Sequence, residues 1–204
     1  MCDSENVNDI DLYNLSGKAE DYDLVLKNID GNIYDEIDYD NKDSRLNKIG
    51  SFKVGCLDLD LADDLGLNAL DVCDSHTQAS CDLYMNTFND DGELAEIDGE
   101  DVIHCRRILY IYEIIVDKKY RGKKLSWAIV SYLIKKYNSD VVFLKPAPAE
   151  GNNKKTFNSA VKKLKKHWMG YGFKRISTSK DYLGLDLSYA QPQYFWVDGK
   201  IKKG

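Results

Sequence analysis

The chain of 204 residues predicts an α+β fold, and three observations carry that prediction. Several short segments are rich in β-branched and aromatic residues that alternate or run continuously, the pattern of strands. Other segments repeat apolar residues at three- and four-residue steps, the pattern of amphipathic helices. From residue 107 onward the two patterns alternate as strand, loop, helix, strand, helix, strand. The composition, 43% hydrophobic and 30% charged, is that of a chain able to bury a core and excludes a wholly disordered one.

Residues 1–20 are polar and aperiodic and are expected as a flexible N-terminal arm, with residues 21–204 forming one domain. Tyr22 to Ile29 reads as a first strand that stops at the Asp30-Gly31 turn signal, and residues 30–48 as an acidic loop or weak hairpin. Phe52 to Leu61 reads as a strand whose phase changes near Gly55, which predicts a bulge there. In its second part Leu57, Leu59 and Leu61 alternate with Asp58 and Asp60, so one face is buried and the other acidic. Residues 69–88 carry Leu70, Cys73, Thr77, Cys81, Tyr84 and Phe88 at helical spacing, followed by the turn Asn89-Asp90-Asp91-Gly92. Arg107 to Val116 is nearly apolar on both faces, with Glu113 its only acid, as expected of a central strand. Gly122 to Tyr137 reads as an amphipathic helix, Val141 to Leu144 as a short buried strand stopped by Pro146 and Pro148, and residues 155–170 as a second amphipathic helix. Phe173 to Ser177 and Tyr194 to Val197 are read as closing strands.

The formal charge of −6 conceals an asymmetry. Residues 1–100 carry 26 acids and 6 bases, a net −20, whereas residues 101–204 carry 8 acids and 22 bases, a net +14. An acidic half folded against a basic half is expected, with the basic half facing an anion. The first residues are acidic and have no apolar core, and no apolar run approaches the roughly 20 residues that span a bilayer. The five cysteines are odd in number and lack paired spacing, so reduced thiols and a cytoplasmic location are expected. Cys73-x-x-His76, Cys81 and His104-Cys105 do not form the close ligand pairs of a zinc site, and no metal is expected.

The loop Val116-Asp117-Lys118-Lys119-Tyr120-Arg121-Gly122-Lys123-Lys124-Leu125-Ser126 places four lysines, an arginine and a glycine before a helix. Unpaired amides of the first helical turn, the helix dipole and the side-chain charges together suit a pyrophosphate. An ordinary exposed basic turn fits the same spacing.

With its context, the run ILYIYEIIVDKKYRGKKLSWAIVSYLIKKY resembles motif A of the GNAT superfamily of acyl-CoA-dependent N-acyltransferases: a hydrophobic strand ending in Val116, an aromatic Tyr120, then Arg121-Gly122 and an amphipathic helix. His167-Trp168-Met169-Gly170-Tyr171-Gly172-Phe173 resembles the ending of that family's last helix. Lys145-Pro146-Ala147-Pro148 with Trp168 resembles a poorly characterised bacterial and phage-like branch. The resemblance covers roughly residues 105–197 and implies a GNAT-like, mixed, mostly antiparallel central sheet flanked by helices. It implies an acyl-CoA-binding half at residues 105–204 and an acceptor-side half at residues 21–104.

As implied by that resemblance, the backbone of Ile114, Ile115 and Val116 holds the pantetheine arm of acetyl-CoA, the acyl donor. The pyrophosphate is held by Arg121, Gly122, Lys123, Lys124, Leu125, Ser126 and Trp127, with Trp168 packed against the cofactor arm or the core. An amine acceptor, favoured as cationic by the acidic half, attacks the acyl carbon directly, and Glu113 is the candidate catalytic base. Asp58 and Asp60 are candidates to attract the acceptor, and His76 and His104 are alternative bases. Two departures stand out. Lys124 and Ser126 occupy glycine positions of the motif, and Trp168 occupies the place of a proton-donating tyrosine, where an indole cannot serve. Lys124 either binds phosphate itself or blocks the loop. A non-catalytic acyl-CoA-binding or regulatory module is therefore the alternative reading. The +14 half also raises nucleic acid as a partner, disfavoured because no such motif is present. No membrane partner is expected, and a homodimer is left open.

Overall fold

The computed structural model describes residues 21–35, 47–148, 154–188, 194–197 and 200–203. The expected N-terminal arm and most of the acidic loop at 30–48 lie outside them. The described residues form an α+β fold around a six-stranded sheet, ordered β1-β2-β3-β4-β6-β5. The strands are β1 (Leu26–Asp35), β2 (Asn47–Asp58), β3 (Arg107–Val116), β4 (Val141–Leu144), β5 (Lys174–Arg175) and β6 (Leu183–Asp186). All neighbours pair antiparallel except β3 and β4, which run parallel and are joined by the crossover helix α5 (Leu125–Tyr137). A tight hairpin cannot connect parallel strands, so the helix is the connection such a pair demands. A separate two-stranded sheet pairs β7 (Tyr194–Val197) with β8 (Lys200–Lys203).

Helices cover both faces of the central sheet. On one face α5 and α6 (Lys154–Tyr171) contribute Leu125, Trp127, Ile129, Val130, Leu133, Ile134, Trp168 and Tyr171 to a core shared with Phe52, Val54, Leu109 and Ile111. On the other face, α1 (Asp21–Val25), α2 (Leu59–Asp64), α3 (Ala69–His76) and α4 (Gln78–Thr87) pack with Leu57, Ile108, Tyr110, Val141 and Phe143. β3 and β4 lie between the two cores, which explains why both read as nearly continuous apolar runs. The Tyr110 hydroxyl, deep in the second core, lies 3.3 Å from Thr87 Oγ1, so a buried polar group keeps a partner.

Several boundaries differ from those the sequence predicts. Residues 21–25 form α1 before β1 begins, so the strand expected at Tyr22–Ile29 starts later and runs to Asp35. The strand expected to reach Leu61 ends at Asp58, whose carboxylate accepts from the Leu61 amide and caps α2. Leucines at 57, 59 and 61 fit a strand by parity, but the capping acid turns the last two into a helix. The single helix expected over 69–88 is two helices, because Thr77 is extended (φ −151°) and its hydroxyl accepts from Ser80 N to start α4. The closing strand expected at Phe173–Ser177 shortens to β5, Tyr194–Val197 belongs to the separate hairpin, and β6 was not anticipated.

The expected bulge is also displaced. Lys53 pairs with Glu113 and Val54 with Ile111, so the extra residue is Tyr112 of β3. Ile108 and Tyr110 face the second core and Leu109 and Ile111 the first; beyond the bulge Ile114 and Val116 pack against the first core. One inserted residue thus shifts the parity of the strand's last turn of side chains. Gly55 lies under the inserted residue: a Cβ on it would fall 2.5 Å from Tyr112 Oη and 2.9 Å from its ring. Gly55→Val is expected to destabilise the fold by about 1–3 kcal/mol through this overlap. In urea unfolding, the double variant Gly55→Val/Tyr112→Ala should lose less than the sum of the single losses; strict additivity would show that the ring is not what Gly55 accommodates.

Candidate functional site

β4 is much shorter than its neighbour. Its pairs with β3 run from Ile108↔Val141 to Ile111↔Leu144 and stop there. Lys145, Pro146, Ala147 and Pro148 follow, and the two prolines have no N–H with which to continue a ladder. From Tyr112 to Val116, β3 keeps β2 on one side and, among the described residues, has no strand partner on the other. An open stretch of parallel-sheet edge is thereby built into the centre of the molecule, on the side from which α5 departs.

Glu113, Ile114, Ile115 and Val116 all lie in this stretch and all are half-buried. Glu113 makes no hydrogen bond or ion pair among the described residues, and its cross-strand partner is Lys53. The arginines that might have neutralised it are engaged elsewhere: Arg107 Nε is 3.1 Å from Asp58 Oδ2, and Arg106 Nε is 3.7 Å from Asp60 Oδ2.

The loop after β3 turns through a 3-10 segment, Lys118–Tyr120, and anchors Tyr120 in the first core. Arg121 Nε donates to Val116 O at 2.8 Å, clipping the loop to the strand end. Gly122 has φ +80°, and Lys124 has φ 60°, ψ 23°, so α5 begins at Leu125 rather than at Gly122 as the sequence predicts. Lys124 thus adopts the left-handed conformation that glycine takes without a Cβ penalty, at a position where the resembled motif has glycine. No side chain caps α5, which leaves first-turn amides without a side-chain partner. Lys118, Arg121, Lys123 and Lys124 are exposed, and none has a carboxylate within 4.0 Å among the described residues. The start of α5 therefore lies among these four cations, which suits an anion there.

The Lys124 ammonium lies 4.0 Å from the centroid of Trp127, folded over the ring. Trp127 is buried at 5% exposure, and its indole N–H has no partner among the described residues. Around it stand His167 and Tyr171 of α6 and Tyr194 of β7, at centroid distances of 5.4, 5.8 and 4.8 Å. Ser126 Oγ and His167 Nε2 are 2.9 Å apart, a contact that sequence reasoning missed because it joins single residues of two helices. Burial, and then the Lys124 charge, hold the His167 pKa below its ordinary 6.5. Trp168, expected against the cofactor, is 7% exposed and packs edge-on against Phe173 in the core. The Tyr171 hydroxyl is 2.8 Å from Ser131 Oγ, and its pKa is pushed up to about 12, chiefly by burial.

Other residues singled out in the sequence lie elsewhere. Asp58 and Asp60 meet Arg107 and Arg106 near the start of β3, roughly 20 Å along the strand from Glu113. They tie the acidic half to the basic half, as does Asp98 with Lys174 at 2.8 Å; they do not face the open edge. His76 joins α3 to α1, with Nδ1 2.8 Å from Val72 O and Nε2 3.1 Å from Asp23 Oδ1. Cys73 is fully buried, its thiol pushed up to about 12 mainly by burial. His104 lies in a loop at the opposite end of the sheet from the basic loop. Among the described residues no three His, Cys, Asp or Glu side chains gather as a metal site, and no helix is long and apolar enough to cross a membrane.

No protein-family model matches the chain, and no curated protein or solved structure matches it either.

Two stability predictions follow from this geometry. Lys124→Gly should be more stable than Lys124→Val by about 1–2 kcal/mol in urea unfolding, because the αL conformation penalises a β-branched residue most; equal stabilities would contradict the αL assignment. His167 binds a proton less readily folded than unfolded, so the unfolded state takes up the excess proton and stability falls as pH drops below 6.5. His167→Gln should remove that part of the pH dependence while the stability above pH 6.5 changes much less. A wild-type slope retained in the variant would assign the dependence to other groups.

Proposed function

We propose that the protein is an acyl-CoA-dependent N-acyltransferase that transfers an acetyl group from acetyl-CoA to a primary amine by direct attack. The observation that supports this reading is the edge of β3 from Tyr112 to Val116, which has no second strand partner among the described residues, next to a helix whose N-cap Lys124 makes no side-chain cap and near which Lys118, Arg121 and Lys123 have no carboxylate within 4.0 Å among the described residues. An extended pantetheine arm with amide groups suits such an edge, as a strand added to a sheet does. Its pyrophosphate would then reach the first turn of α5, with Lys123 and the terminal nitrogens of Arg121 beside it. The Ile114–Val116 amides on the open side would be the donors that polarise the thioester carbonyl. Glu113, half-buried and without an ion pair, would accept the proton the amine must lose.

A second reading, a module that binds acyl-CoA without turning it over, is favoured by Trp168. That residue is committed to the core and cannot donate a proton to the leaving thiolate. Release of free thiol from acetyl-CoA in the presence of a panel of primary amines separates the two readings. The enzyme reading expects amine-dependent release; tight CoA binding with no release on any amine supports the module. Arg121→Glu/Lys123→Glu should weaken CoA binding by at least tenfold by calorimetry, and unchanged affinity would remove the loop from the site. Glu113→Gln should lower turnover while CoA affinity holds; full activity from pH 6 to 9 would exclude Glu113 as the base.

A further inference from the structure

The Ser126–His167 contact ties α6 to the start of α5 where backbone donors are open. The Trp127 amide donates to Lys124 O at 2.9 Å, whereas the amides of Leu125 and Ser126 have no partner among the described residues. Ser126 Oγ, on the same residue as one of these amides, lies 2.9 Å from His167 Nε2. Two rings hold the imidazole in place, Trp127 at 5.4 Å and Trp168 at 5.0 Å between centroids. Ser126 and His167 are both half-buried.

The direction of this hydrogen bond depends on the proton count of the imidazole. A neutral ring has one N–H, and with Nε2 bare it takes the Ser126 proton. With Nε2 protonated, the ring donates to Oγ and the hydroxyl proton is released for another acceptor. An imidazolium allows only this second arrangement. In the free protein the surroundings favour the neutral ring: burial, and then the Lys124 charge, hold its pKa below 6.5. No carboxylate lies within 4.0 Å of the ring among the described residues. The charged and titratable groups around it are Lys124 from the loop, Lys163 and Lys166 of α6 itself, and Tyr171 and Tyr194, which meet the Trp127 ring. Because the Lys124 charge is felt at the imidazole, an anion set against Lys124 and the first-turn amides opposes that influence.

We propose that Ser126 and His167 belong to the phosphate site at the start of α5: on phosphate binding His167 takes up a proton, donates from Nε2 to Ser126 Oγ, and turns the Ser126 hydroxyl onto a phosphate oxygen. This role rests on the acyl-CoA reading and adds to it a side-chain donor and a proton. The group that meets phosphate is Ser126, and His167 is a positioning residue. The bound form holds more protons than the free form, so binding strengthens as pH falls, and by reciprocity phosphate strengthens proton binding at His167.

Calorimetric titration of the full chain with dephospho-CoA, from about pH 5.5 to 7.5 and in two buffers of different ionisation heat, tests this role. The pyrophosphate of that probe stays fully charged over the range, so protons taken up belong to the protein. Affinity should rise about threefold or more from the upper to the lower pH, with net proton uptake. His167→Gln still offers an N–H to Ser126 Oγ but does not titrate; it should bind dephospho-CoA with neither pH dependence nor proton uptake. His167→Phe offers no donor and should bind about tenfold more weakly than His167→Gln. Binding without proton uptake, uptake that survives in His167→Gln, or equal affinities of the Gln and Phe variants would each overturn this role and leave the acyl-CoA reading standing. Absence of saturable binding of both dephospho-CoA and CoA would overturn the two together.

Discussion

The mismatch in length between β3 and β4 is the constraint on which the rest depends. β3 is ten residues long and β4 is four, and they pair only over Ile108–Ile111. Within that overlap both strands are buried on both faces and form the centre of the fold. Beyond it β3 continues, among the described residues, with β2 as its one strand neighbour. Pro146 and Pro148 hold this arrangement from the β4 side by withholding the amides that would extend the ladder. The Arg121 clip and the left-handed Lys124 hold it from the other, by fixing where the loop leaves Val116 and where α5 begins.

The bulge at Tyr112 connects packing to chemistry. Without it the parity of β3 would place Glu113 toward the core that α5 and α6 cover, where an unpaired carboxylate is costly. With it, Ile114 and Val116 take the core-facing positions, and Glu113 sits at the irregularity, half-buried and with no ion pair among the described residues. The charge asymmetry also resolves into parts. Asp58, Asp60 and Asp98 join the acidic half to Arg107, Arg106 and Lys174 of the basic half. Among the described residues, Lys118, Arg121, Lys123 and Lys124 of the loop after β3 have no carboxylate within 4.0 Å.

What was legible in the sequence follows the strength of the local signal. The bounds of β3 and β4 were readable because a strand buried on both faces is an unbroken apolar run ended by a charge or a proline. The loop and Glu113 were readable because polar residues interrupt that run. The Leu57–Leu61 alternation was misread since a helix cap, not parity, decides the fate of Leu59 and Leu61. The break at Thr77 was hidden inside an intact helical period. β6 was missed because Leu183-Gly184-Leu185-Asp186 is too short to show alternation. The Ser126–His167 contact joins residues distant in sequence, and no local pattern marks it.

The central claim is that the open edge of β3 and the uncapped start of α5 form one site for a CoA thioester. Amide hydrogen exchange with and without CoA tests it most directly, because the backbone itself is the proposed binding group. Added protection of the Ile114 and Val116 amides, which alternate with the β2-bonded Ile115, together with residues 121–127, and little change at the far end of the sheet, is the predicted result. CoA that leaves those amides unchanged, or protects a different surface, would contradict it.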